Sequence, residues 1–149
     1  MKEQNNTSQS FSLIEQGSSN KITISWNPEA KAIIGTMNNQ TISIDEIRTA
    51  ILDNELLRTK ANSCRAWIHD STQTAGFLPK EQLDLISNEI FPTFNKIGIK
   101  YIITIIPTNS IFSGKIIRQY SSLSCSNRLL LVAVDSLEQA ILWLKTYAN

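Results

Sequence analysis

The chain has 149 residues, of which 42% are hydrophobic and 18% charged, and its formal net charge at pH 7 is +1. A chain of this length defaults to one domain that buries about two-thirds of its unfolded surface without staples. Lys and Arg are scattered rather than striped, which argues against a nucleic-acid binder built on phosphate neutralisation. There is no polybasic cluster for an anionic membrane surface, and the longest apolar run, Tyr101 to Ile106, is far short of a bilayer span, so no stable membrane insertion is expected.

Met1 to Gln9 is Asn/Gln/Ser-rich and is expected to be a disordered tail ahead of a single domain over 10–149; with no apolar core following it, it does not read as a signal peptide. Phe11 to Ile14 is half apolar and fits an optional edge strand. Lys21 to Trp26 alternates Ile22, Ile24 and Trp26 with Thr23 and Ser25, the period of a strand with one wet face, and Ala32 to Met37 returns as its hairpin partner after the turn at Asn27-Pro28-Glu29. Ser43 followed three residues on by Glu46 is a capping box. The stripe Ile44, Ile47, Ala50, Ile51, resumed by Leu56 and Leu57, predicts one helix ending near Asn62.

Arg65 to Lys100 is the organising stretch. Ala66-Trp67-Ile68 running into His69-Asp70 reads as a strand buried on both faces, and Ser71 to Gly76 loops away. Pro79 suits the first position of a helix carrying Leu83, Ile86, Ile90, Phe94 and Ile97; Pro92 lies inside that pattern and predicts a kink rather than a stop, and Gly98 ends it. Tyr101 to Ile106 is a second fully apolar strand, so the unit is βαβ and the sheet at least partly parallel. Pro107 to Ser110 is a loop, Ile111 to Leu123 a helix weakened by Gly114, and Leu129 to Val134 the last strand. Ser136 with Gln139 repeats the capping spacing before a final helix with Leu137, Ala140, Ile141 and Leu144 inward. The expected fold is α/β, a mixed and largely parallel sheet of five strands, six with the optional one, and about four helices.

This order, with these residues in it, resembles the SpoIIAA-like superfamily, and is most similar to its bacterial STAS/SEC14-like branch, related to CRAL-TRIO domains. The resemblance rests on Ile24-Ser25-Trp26-Asn27-Pro28-Glu29, Trp67-Ile68-His69-Asp70, Pro79-Lys80-Glu81-Gln82 through Ile90-Phe91-Pro92, Ile97-Gly98-Ile99-Lys100-Tyr101, and Asp135-Ser136-Leu137-Glu138-Gln139-Ala140 through Trp143-Leu144-Lys145, and covers about Phe11 to Lys145. It implies a binding or regulatory module with no catalysis and no cofactor. The superfamily includes anti-sigma-factor antagonists, transporter-appended STAS domains and lipid binders. The antagonists carry a phosphorylatable serine in an Asp-Ser-Ser-Gly pattern at the start of the helix after the central strand. Here Phe77-Leu78-Pro79 occupies that place, and Asp70-Ser71-Thr72 lies at the strand end, several residues too early. The arginine that the branch commonly carries two places after the strand-end aspartate is replaced by Thr72.

Catalysis and metal binding find little material. His69 is the only histidine and falls in a buried strand, where a satisfied core residue is the simpler reading; no nucleophile elbow appears, and one His with two distant cysteines, Cys64 and Cys125, lacks zinc spacing. The cysteines read as the reduced thiols of a cytoplasmic protein. Ligands of open parallel sheets bind beyond the carboxyl ends of the strands, which places Asp70, Ser71, Thr72, Gln73, Thr108, Asn109 and Phe77 as candidate ligand- or partner-binding residues. Ser71, Thr72 and Thr74 are candidates for phosphorylation, and Ser136 reads as a cap. Phe77, Phe91, Phe94 and Phe112 either fill the core or line an apolar pocket. Trp143 falls off the main stripe of the last helix and, if exposed, points to a contact surface such as a homodimer. The expected role is protein–protein interaction in bacterial signalling; the alternative is carriage of a small apolar or lipid-like ligand between the helix of Pro79 to Ile97 and that of Ile111 to Leu123.

Overall fold

The computed structural model describes residues 9–12 (backbone only), 21–37, 42–70, 79–106, 118 and 128–148. Six strands form one sheet in simple sequence order: β1 (Gln9–Ser12), β2 (Ile22–Asn27), β3 (Ala32–Met37), β4 (Ala66–Asp70), β5 (Tyr101–Ile105) and β6 (Leu130–Val134). β1 and β2, and β2 and β3, pair antiparallel; β3 to β6 are all parallel. The two apolar segments expected to lie side by side do so, with Trp67 opposite Ile102 and Ile68 opposite Ile103. The optional strand exists, and it begins at Gln9, one residue inside the stretch assigned to the tail; the rest of that tail lies outside the described residues.

Alternation along the strands sends side chains to two separate cores. On the front face Ile22, Ile24, Trp26, Ile33, Trp67 and Ile102 pack under the helices α1 (Ile44–Leu52), α2 (Glu55–Thr59), α3 (Lys80–Leu85) and α4 (Phe91–Lys96). On the back face Ala32, Ile34, Ala66, Ile68, Ile103 and Ile105 pack under α5 (Leu137–Tyr147) through Ala140, Leu144 and the following Ala148. Arg65 fastens the lower end of the sheet: its guanidinium donates to the carbonyl of Ala30 at 2.9 Å and to that of Ala148.

The caps explain where helices start, and also where the sequence pattern misleads. Ser43 and Glu46 form the capping box: the Ser43 hydroxyl accepts from the Glu46 N–H at 3.1 Å and the Glu46 carboxylate from the Ser43 N–H at 3.3 Å. The single helix expected over the next twenty residues is two. Asn54, buried, accepts from the Leu56 N–H at 2.7 Å through its side-chain oxygen and donates to the Ala50 carbonyl at 3.3 Å. An amide that satisfies the end of one helix and the start of the next breaks the rod without leaving orphans.

Pro79 is the cap of α3 rather than its first residue; its ψ of 153° is extended and the helix begins at Lys80. The helix passes through Pro92, as expected for a residue inside the stripe, but by a specific adjustment. A π-helical turn, Ile86–Ile90, joins α3 to α4, and the Phe91 N–H donates to the Ile86 carbonyl five residues back. The wider turn gives the proline ring room where an α-turn would press it against the preceding carbonyls. The Thr93 hydroxyl takes up the Glu89 carbonyl at 2.7 Å. Gly98, at φ +100°, then closes α4: the Ile99 N–H donates to the Phe94 carbonyl and the Gly98 N–H to that of Asn95, a Schellman end that needs a left-handed residue at this place.

In α5 the Ser136 hydroxyl accepts from the Gln139 N–H at 3.1 Å, so Ser136 is the cap it was expected to be. The Gln139 side chain accepts from Asp135 at 3.4 Å, not from the cap residue itself. Leu137 does not belong to the buried stripe; it is exposed, overhanging the first turn, and the inward line is Ala140, Leu144 and Ala148. The helix expected over Ile111 to Leu123 lies outside the described residues, Arg118 apart.

Candidate functional site

The front of the sheet holds a small cavity between α1 and the α3–π–α4 rod, roofing β3 to β5. Its volume is about 30 Å³, room for about two water molecules. The walls are Ile47 and Ile51 of α1, Ile86, Ile90, Phe91 and Phe94 of the rod, and Met37, Trp67 and Ile102 from the strands; among the described residues the polar lining side chains are His69 and Gln82. Trp67 stacks on Phe94 with centroids 4.8 Å apart, and Phe91 lies 6.2 Å from Phe94, so two of the phenylalanines read as either core or pocket are both.

Trp67 reaches this seat because Gly35, diagonal to it on β3, has no side chain: a Cβ there would stand 2.5 Å from Cζ2 of the indole. Arg48 of α1 holds Glu89 of the π-turn in a two-pronged bond at 2.9 and 3.0 Å, tying the two helical walls together outside the cavity. That contact draws the Glu89 carboxyl below its usual range and raises Arg48. Both side chains are about 40% exposed, so solvent screens the tether and it fixes the spacing of the two walls more than it stabilises the fold.

His69 is 5% exposed, and burial pushes its pKa down to about 4 against a small opposing pull from Asp70. At neutral pH it is therefore an uncharged imidazole and a weak base, suited to a hydrogen bond and poorly suited to proton transfer. Its neighbours in register are Gly35 on β3 and Thr104 on β5. Thr104 is 1% exposed and its hydroxyl has no hydrogen-bond partner among the described residues. The alternation that sends His69 forward sends Asp70 to the back face, beside Thr36 and Ile105, so the two are not brought to one site.

Of the residues proposed from sequence, Asp70 is at the carboxyl end of β4 and half-buried. Ser71, Thr72, Gln73, Thr74, Phe77, Thr108, Asn109 and Phe112 lie outside the described residues. Trp143 is half-buried, edge-on to Tyr101 at 5.4 Å and tilted against Tyr147 at 5.7 Å. The exposed large apolar groups are Leu130 at 53%, Leu142 at 63%, Tyr147 at 68% and Leu137. Sequence reasoning missed Gln82, Thr104, Gly35 and the Arg48–Glu89 tether. A signal existed for two of them: Thr104 is the one polar residue inside an apolar strand, and Gln82 precedes Ile86 and Ile90 on the same helical face.

Among the described residues no group of three His, Cys, Asp or Glu side chains is placed to hold a metal ion, and no helix is long and apolar enough to cross a membrane. No protein-family model, curated protein or solved structure matches this chain.

Proposed function

We propose that the chain is a non-catalytic binding module of the SpoIIAA-like kind, acting in the bacterial cytoplasm through a protein partner. The observation that carries this reading is the apolar surface where α5 meets β6: Leu130 and Tyr147 are each more than half exposed, and they are joined by Tyr101, beside Leu130 on β5, and by Trp143, which lies against both Tyr101 and Tyr147. Apolar groups gathered in one place on a soluble protein mark contact surfaces more often than isolated ones do. The neutral, buried state of the only histidine supports the non-catalytic half of the reading. Phosphorylation at Ser71 or Thr72 would act as its switch, and phosphopeptide mapping in cells tests that part.

A photo-crosslinking amino acid tests the surface. Placed at Tyr147 in the full chain, it should link a defined polypeptide, whereas at Thr23, exposed on the polar part of the same sheet face, it should not. Equal or absent linking at both places refutes the reading.

The second reading, a carrier of a small apolar ligand, is favoured by the cavity, with Gln82 as its one half-buried polar contact. At about 30 Å³ the cavity is an order of magnitude below a ligand pocket, so loading requires α1 and the π-turn to part. Native mass spectrometry of protein purified from cells separates the two readings: a reproducible added mass of lipid size supports carriage.

A further inference from the structure

We propose that β6 pairs with β6 of a second copy of this chain, antiparallel, about a two-fold axis through Val132. This rests on the binding-module reading above and names its partner. The main chain of β6 is self-complementary. The Leu130 N–H donates to the Lys100 carbonyl, and the Val134 carbonyl accepts from Ile106, so residues 130, 132 and 134 turn their main-chain groups toward β5. By alternation Leu131 and Ala133 turn theirs outward, where β6 is the last strand of the sheet among the described residues. In the antiparallel pair Leu131 faces Ala133 of the partner subunit and the reverse. Each such pair exchanges two N–H···O=C bonds, and none of the bonds to β5 is disturbed.

The side chains agree with that register. A two-fold axis normal to the sheet keeps the faces matched, so Leu130 comes opposite the partner's Val134 and Val132 opposite its own copy, all on the back face. Leu130, a large apolar side chain 53% exposed, is then covered. On the front face a large Leu131 meets a small Ala133. The charges agree too. Exposed Arg128 precedes the strand and exposed Asp135 follows it, so antiparallel pairing brings each Arg128 to the same end of the seam as the partner's Asp135, one register place apart, whereas parallel pairing brings like charges together.

The strand itself carries no charge, no proline and no bulge, three devices that keep edges apart, while the opposite edge, β1, reads Gln-Ser-Phe-Ser. A stable interface needs about 800 Å² from each partner, more than one short strand provides. The Trp143–Tyr147 flank of α5, resting on Tyr101 next to Leu130, supplies further apolar area on the same side of the seam.

Sedimentation of the untagged full chain across a wide concentration series should show a reversible monomer–dimer equilibrium. Ala133→Pro removes only an outward N–H, which an edge tolerates, and should weaken dimerisation by about tenfold or more while the circular dichroism stays that of the wild type. Val132→Cys in a Cys125→Ser background is the independent test, because it asks nothing of the strand's hydrogen bonds. It should form an intermolecular disulfide on mild oxidation, since the axis brings the two positions within bridging distance. A wild-type chain that stays monomeric overturns the proposal, and so does a dimer that Val132→Cys fails to link or that a folded Ala133→Pro leaves unchanged. A monomer whose Leu131 and Ala133 amides are nevertheless protected from hydrogen exchange also overturns it, by placing another segment on the edge. If the chain is monomeric but Tyr147 still photo-crosslinks a different polypeptide, self-pairing falls and the binding-module reading stands; if both fail, both fall.

Discussion

Acid should loosen this protein through one side chain. His69 titrates near pH 6.5 in the unfolded chain, and burial holds it down to about 4 in the folded one. Between those values the unfolded state binds a proton that the folded state refuses, so folding stability rises with pH across this window and falls as pH drops through it. The contribution is complete above pH 6.5 and lost by about pH 4. At roughly 1.4 kcal/mol per pH unit, the interval is worth about 3 kcal/mol, a large part of the 5–15 kcal/mol typical of a domain. The lowered carboxyls of Glu46, drawn down first by Lys21, and of Glu89 also favour folding above their unfolded range, so the wild-type acid profile is a composite. His69→Gln isolates the histidine: urea unfolding of both proteins at intervals from pH 7 to pH 4 should show the wild type losing about 3 kcal/mol more than the variant. As the only histidine in the sequence, it also gives a single imidazole carbon resonance, which should keep its neutral shift down to about pH 4. Parallel profiles for the two proteins, or a resonance that titrates near 6.5, would refute the assignment of His69 as a dry, neutral core residue.

Three further outcomes follow from the same geometry. Gly35→Ala places a methyl 2.5 Å from the Trp67 indole and should cost about 1–3 kcal/mol in urea unfolding, with a shift in tryptophan emission; an unchanged midpoint would mean that the indole has room to move. Ser43→Ala removes one arm of the capping box and should cost about 1 kcal/mol, detectable as a lower melting temperature. Cys64, buried with its thiol pushed up to about 11, should resist a thiol reagent at pH 8 in a Cys125→Ser background and react at once in denaturant.

Much of the fold was legible because its signals are local and periodic. Two apolar runs too short for helices and joined by a helical stripe dictate parallel strands, and Ser43, Ser136 and Gly98 announce helix ends by side-chain chemistry that acts within a turn. What escaped depends on contacts distant in sequence or on a choice between equivalent local solutions. Asn54 looked like a polar interruption because nothing in the pattern says that its amide will bridge Ala50 and Leu56. Pro92 announced an adjustment without its form, since kink, break and π-turn all relieve the same clash. The Gly35–Trp67 contact and the Arg48–Glu89 tether join residues 32 and 41 apart in sequence, which no periodicity encodes.

The topology also explains why the candidate interaction surface falls where it does. Strands β3 to β6 are added one after another in a single direction, and connections of one hand then place the intervening helices α1 to α4 on the same face. The back of a six-stranded sheet is left, among the described residues, to α5 alone, a helix of eleven residues. At the β2 end this shortfall costs little, because the back-face positions are Thr23, Ser25 and Thr36, polar side chains that tolerate contact with water. At the β6 end the positions are Leu130, Val132 and Val134, and Leu130 is more than half exposed. Among the described residues the back of the sheet is polar at the β2 end and apolar at the β6 end, and β6 is also where the edge strand and the exposed aromatic flank of α5 meet.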